Sequence, residues 1–177
     1  MKKKLTNYLS ILAVGLVAGA TGGWIGHRQV QTNMSFIVAE GKSMYPTLLD
    51  GAPCKAMPFG EIHRGDILVL KDNQGTTVVK RVVGMPNENI SIFEGKIYVD
   101  GSRLWEPYLP KDTYTKPLYP AGPHIHAGNT QYIVMGDNRD VSYDSRAWGP
   151  VDIKNVIEKI DLSTLPGVTT RKFTTQR

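Results

Sequence analysis

Beyond residue 35 the chain alternates short apolar runs with clusters of Gly, Pro, Asn and Asp, and apolar residues do not recur at helical spacing. This pattern predicts strands at residues 36–39, 66–70, 76–83, 89–93, 96–99, 131–135 and 156–162. Two of them, 89–93 and 96–99, are separated only by Glu94-Gly95 and read as a tight hairpin, with Asp100-Gly101 as a second turn signal. Residues 104–128 are rich in Pro, Tyr and Gly and poor in strand signals, so they read as an excursion away from the core. The fold class expected is mainly β, a compact antiparallel domain.

The N-terminus breaks this pattern. Lys2, Lys3 and Lys4 precede an apolar stretch from Tyr8 to Ile25, which would make about 27 Å of helix at ~1.5 Å per residue. That is close to the ~30 Å of a bilayer core, so a single transmembrane helix is expected. Three lysines before it against Arg28 after it place the N-terminus in the cytoplasm and the β domain on the exported side of the cell membrane. Ala18-Gly19-Ala20 also resembles a signal-peptide cleavage site, but the apolar run continues through Trp24 and Ile25, which favours an uncleaved anchor. Gly15, Gly19 and Gly23 are spaced for close helix approach, a pattern common in Gly-rich anchors that do not dimerise. The organisation predicted is an anchor over 1–28, a β catalytic domain over 29–165 and a basic tail over 166–177.

Composition narrows the function classes. The net charge of +5 could suggest nucleic acid, but Lys2, Lys3, Lys4, Arg171, Lys172 and Arg177 account for all of that excess. A near-neutral body excludes a nucleic-acid footprint, and the terminal bases suit a lipid bilayer instead. Cys54 is the only cysteine, so no intrachain disulfide forms, and no motif marks it as a nucleophile. His124 and His126 share one side of a strand, but no Cys/His cluster completes a metal site, and no metal or cofactor is expected. Met57-Pro58-Phe59 and Trp105 are either packing residues or apolar loops that dip into a bilayer.

Two residues stand out chemically. Ser43 lies in a turn-rich stretch, Gly41-Lys42-Ser43-Met44-Tyr45-Pro46-Thr47-Leu48, where backbone N–H groups can gather around its hydroxyl. Lys80 interrupts a β-branched run, Thr77-Val78-Val79-Lys80-Arg81-Val82-Val83, that reads as apolar on both faces. Desolvation there disfavours the ammonium, and a neutral lysine can take a proton from a serine hydroxyl. A third segment, residues 136–146, is dense in hydrogen-bonding side chains and follows the apolar run of 131–135.

Four ordered stretches now carry a family resemblance: Ser43 to Leu48, Gly65-Asp66-Ile67-Leu68-Val69, Lys80-Arg81-Val82-Val83-Gly84, and Gly136-Asp137-Asn138-Arg139 with Ser142-Tyr143-Asp144-Ser145-Arg146. In that order they resemble the type I signal peptidases, and the likeness spans Leu5 to about Ile160. The resemblance implies Ser43 as nucleophile, Lys80 as general base and Ser142 as the hydroxyl that orients the lysine amine. It also implies Asp137, Asp144 and Arg146 as structural ion-pair residues, with Arg81 the partner of Asp137. Many Gram-negative members carry a hydroxyl two positions before the nucleophile, where this chain has Gly41, which leaves the Ser43 N–H as the main oxyanion donor. Met44 and Pro46 are expected at the substrate. The partners implied are signal-peptide-bearing exported preproteins, cleaved after small residues. Alternatives are a relative restricted to a narrow set such as pilins, a self-cleaving repressor, which would need a DNA-binding domain where this chain has its apolar segment, and a catalytically silent peptide-binding β-domain.

Overall fold

The computed structural model describes residues 34–118 and 122–165, together with the backbone of Thr175–Gln176. The predicted anchor and most of the basic tail lie outside the described residues. Among those described, no helix is long and apolar enough to cross a membrane.

The strands are β1 (Ser35–Ala39), β2 (Ala52–Met57), β3 (Ile67–Lys71), β4 (Thr77–Gly84), β5 (Asn89–Phe93), β6 (Lys96–Val99), β7 (Ser102–Leu104), β8 (His124–His126), β9 (Gln131–Met135), β10 (Val151–Asp152), β11 (Val156–Ile160) and β12 (Thr175–Gln176). They form two sheets, a seven-stranded one in the order β1-β2-β11-β3-β4-β9-β10 and a five-stranded one in the order β12-β7-β6-β5-β8. Every pairing is antiparallel, as the patterning predicts. The β5–β6 hairpin closes through Glu94 and Gly95, both at positive φ, the geometry that matches strand twist in a two-residue turn.

Burial follows side-chain alternation. In β3 both faces are covered: Ile67 and Val69 enter the core with Met44, Leu48, Cys54 and Ile160, while Leu68 and Leu70 enter another with Val82, Val134 and Val151. A third cluster joins Ile90, Ile92, Ile97 and Ile125 of the second sheet to Val83, Ile133 and Met135 of the first. This packing fixes β4 and β9, from which the site is built.

The structure corrects the sequence reading at several places. The strand β2 reads as loop because Gly51, Pro53 and Lys55 break its alternation, yet Cys54 and Ala56 are buried and the strand pairs with both β1 and β11. The two-residue β10 gave no signal either. One helical turn, α1 (Ser145–Trp148), forms where Asp144 caps the Arg146 N–H. The excursion does not leave the core: Glu106, Tyr108 and Thr115 turn back to bond Arg139.

Candidate active site

The Ser43 loop, residues 39–51, is closed at its base. Gly51 N–H donates to Ala39 O at 2.8 Å, and Gly41 N–H donates to an Asp50 carboxylate oxygen at 2.8 Å. Met44 and Leu48 are 3% and 2% exposed and pin the loop into the core. Ser43 between them and the surface stays half-exposed. Its carbonyl accepts from Asn138 N–H at 3.0 Å, which ties the loop to the polar segment after β9. Among the described residues its own N–H donates to no group.

Lys80 reaches this loop from β4. The register pairs β9 with β4 only at Arg81, Val82 and Gly84, so residues 77–80 keep an unpaired edge. The Lys80 amine lies 3.0 Å from Ser43 Oγ and 3.0 Å from Val79 O. At 4% exposure it is desolvated, which lowers its pKa below the ordinary lysine value against the opposing pull of Asp144 and Asp72.

Three buried arginines hold the frame. Arg81 Nε and Nη2 donate to the two Asp137 carboxylate oxygens at 2.8 and 2.6 Å, Nη1 donates to Gly65 O, and its guanidinium lies 4.1 Å over the Tyr108 ring. Arg146 makes a second fork, 2.9 Å to each Asp144 oxygen, and donates to the carbonyls of Arg139 and Ser142. Burial alone would raise the Asp144 pKa, but the Arg146 hydrogen bonds and charge, with the Gly136 N–H, hold it below the usual carboxylate range. Arg139 is the third, donating to Gly136 O, Thr115 and Glu106.

Gly136 is the point of closest approach. A Cβ there would meet Ser142 Oγ at 2.2 Å and Ser43 O at 2.4 Å, so only hydrogen fits between the Ser43 loop and Ser142. The Ser142 hydroxyl is buried close enough to Asp144 to favour its ionised form, yet it makes no well-formed hydrogen bond. The Lys80 amine bonds Ser43 Oγ and Val79 O, and not the Ser142 hydroxyl.

The sequence singled out Ser43 and Lys80, and the family resemblance named Asp137, Asp144 and Arg146 as ion-pair residues with Arg81 the partner of Asp137; the fold brings Lys80 to Ser43, Arg81 to Asp137 and Arg146 to Asp144. Met44 lines a groove of about 330 Å³ beside Ser43 and Lys80, walled also by Ile37, Ala39, Val69 and Val79. Pro46 is exposed and lies outside that lining. Sequence reasoning missed Thr47, which donates to Asp137 and accepts from Arg81, and the set of Arg139, Glu106, Tyr108 and Thr115. Thr47 and Arg139 sit inside the quoted motifs, but nothing local identifies their partners, which lie 90 and 33 positions away.

A family model described as signal peptidase, peptidase S26, matches residues 10–165. The chain is 30% identical over 187 aligned positions to signal peptidase IB of Staphylococcus aureus strain Mu50, covering 94% of this chain and 92% of that protein. It is 33% identical over 135 positions to signal peptidase I V of Bacillus subtilis strain 168, covering 67% and 78% respectively. A crystal structure of a signal peptidase I from Enterococcus faecalis V583 is similar at 27% identity and a TM-score of 0.49, over 56% of this chain and 97% of that one.

Proposed function

The chain belongs to the signal peptidase family, peptidase S26, and from that premise we propose that this serine endopeptidase cleaves preproteins through a Ser43/Lys80 dyad. The observation that carries the assignment is the buried Lys80 amine 3.0 Å from Ser43 Oγ. Ser43 Oγ attacks the scissile carbonyl carbon while its proton passes to the neutral Lys80 amine. The Ser43 N–H, unbonded in the protein, faces the developing oxyanion. As the C–N bond breaks, Lys80 returns the proton to the leaving amine. A water then attacks the ester with Lys80 again as base, the acyl–Oγ bond breaks, and Lys80 returns the proton to Ser43 Oγ as the signal peptide's new carboxylate leaves.

The substrate strand fits the groove between the β1 edge and the unpaired edge of residues 77–80. Ala39, Met44 and Val79 leave shallow apolar space there that suits small side chains at the cleavage site and excludes larger ones. Ser142, whose buried hydroxyl makes no hydrogen bond in the resting protein, is left to accept from the Lys80 amine when substrate is bound, and in that state it serves as a positioning residue for the lysine. An N-terminal membrane anchor with the catalytic domain on the exported side completes the reading. It is supported by Phe36 and Val38, 79% and 59% exposed on one face of β1, just after the apolar segment.

Cleavage of a preprotein-derived peptide by the full chain tests the dyad. Ser43→Ala and Lys80→Ala should each abolish turnover, and the double variant should be no worse than either, as expected of groups that act as a unit. Substantial turnover by folded Ser43→Ala would overturn the assignment.

A further inference from the structure

Far from the dyad groove in sequence, the outer face of the five-stranded sheet has an unusual charge balance. Alternation turns Ile92, Ile97, Val99 and Leu104 into the core and leaves Phe93, Lys96, Tyr98 and Arg103 on the other side. The segment after β7 folds beside this face and encloses a cavity of about 310 Å³. Trp105, Leu109 and Pro110 supply apolar walls, and Lys96, Arg103 and Lys111 supply three cations. None of the three forms an ion pair among the described residues. The one carboxylate in the lining, Glu106, is already held by Arg139 and the Tyr108 hydroxyl. The cavity is thus concave, part apolar and uncompensated in positive charge.

We propose that this cavity is an exosite for an acidic segment of the polypeptide substrate. Carboxylates would meet the three cations, and an apolar neighbour would lie on Trp105. The proposal rests on the reading of the protein as an endopeptidase acting at Ser43. The connection of the cavity lining to the Ser43 loop favours a polypeptide. Glu106 and Thr115, in the cavity lining, hold Arg139, whose Nε donates to Gly136 O at 3.0 Å, and Gly136 abuts Ser43 O. The cavity lining and the Ser43 loop therefore belong to one hydrogen-bonded frame, joined through buried Arg139 and Gly136. The chain's own strand β12 borders this site, pairing through Thr175 and Gln176 with Leu104 and Arg103, and neither Thr175 nor Gln176 is acidic.

The test uses the full chain and peptides identical around the scissile bond but acidic, neutral or basic several residues beyond it. Cleavage is measured in parallel with anisotropy of the same labelled peptides bound to Ser43→Ala protein, so that recognition is read even if hydrolysis is not. The acidic peptide should be favoured about 3- to 10-fold, through KM and binding, and the preference should fade near ~0.5 M salt. Reversing charge with Arg103→Glu and Lys111→Glu should invert the order of acidic and basic peptides in both measurements. Charge-blind binding by the wild-type exosite, or an order untouched by the reversal, overturns the proposal even while the Ser43 reading stands. Loss of affinity for phosphatidylglycerol vesicles in the reversed variant, with peptide order unchanged, would also overturn it and assign the cavity to lipid.

Discussion

Replacing Gly136 with alanine is the smallest change that should disable the site. The new Cβ would lie 2.2 Å from Ser142 Oγ and 2.4 Å from Ser43 O, where ordinary contacts begin at 3.4 Å. Ser142 is 4% exposed and has no room to turn away. Ser43 O is backbone and is held by the Asn138 N–H at 3.0 Å, so relief requires the Ser43 loop to move by about 1 Å. A displacement of ~1 Å in catalytic geometry is felt as a loss of roughly 100-fold, while overpacking of this kind costs only ~1–3 kcal/mol of stability. Gly136→Ala should therefore fold, unfold at a somewhat lower temperature, and show kcat reduced about 100-fold. Steady-state cleavage of a quenched fluorescent peptide, beside thermal unfolding, measures both. Gly60→Ala is the control, because a Cβ there meets nothing within 4 Å. Wild-type kcat in folded Gly136→Ala would refute the idea that this contact sets the Ser43–Lys80 spacing.

Three further outcomes follow from the same geometry. Desolvation makes the folded protein bind the Lys80 proton less readily than the unfolded chain does, so activity should rise with pH through that lowered titration. Stability linked to Lys80 should rise from that lowered titration up to 10.5, and Lys80→Met should raise Tm at pH values below it; an acid activity optimum would contradict the first outcome and an unchanged Tm the second. Ser142→Ala removes a buried hydroxyl without a hydrogen bond, so Tm should hold while kcat falls on the order of 10- to 100-fold, with Ser142→Thr retaining more; unchanged kcat would reduce this serine to a turn former. Arg146→Ala strands the buried Asp144 carboxylate and should cost ~3–5 kcal/mol by denaturant titration, and a near-neutral result would show that the fork is dispensable to the frame.

Strand patterning and local chemistry made most of the first sheet and the central pair legible before any tertiary information. The β-branched run around Lys80, the turn around Ser43 and the polar segment after β9 are local features, and local features are what a sequence displays. Arg81 with Asp137 was accessible because the family resemblance supplied that pairing, and it named Asp144 and Arg146 as ion-pair residues without joining them, which the structure does. Pairing Glu106 with Arg139, and Thr47 with Arg81 and Asp137, had no such help.

What the sequence determined by itself was the β class, the hairpin at Glu94-Gly95 and the identity of the two residues whose neighbours leave them no ordinary role. The tertiary structure decided the rest because the remaining terms are long-range. It showed that β2 is a strand, since the burial of Cys54 and Ala56 against neighbouring strands outweighs a pattern broken by Pro53 and Lys55. It showed that the Pro-rich segment returns to the site, because a buried Arg139 guanidinium needs a carboxylate and Glu106 provides it. And it set the 3.0 Å between Lys80 and Ser43, bringing together a loop pinned through buried Met44 and Leu48 and a stretch of β4 whose edge β9 leaves unpaired, contacts that lie far apart in the chain.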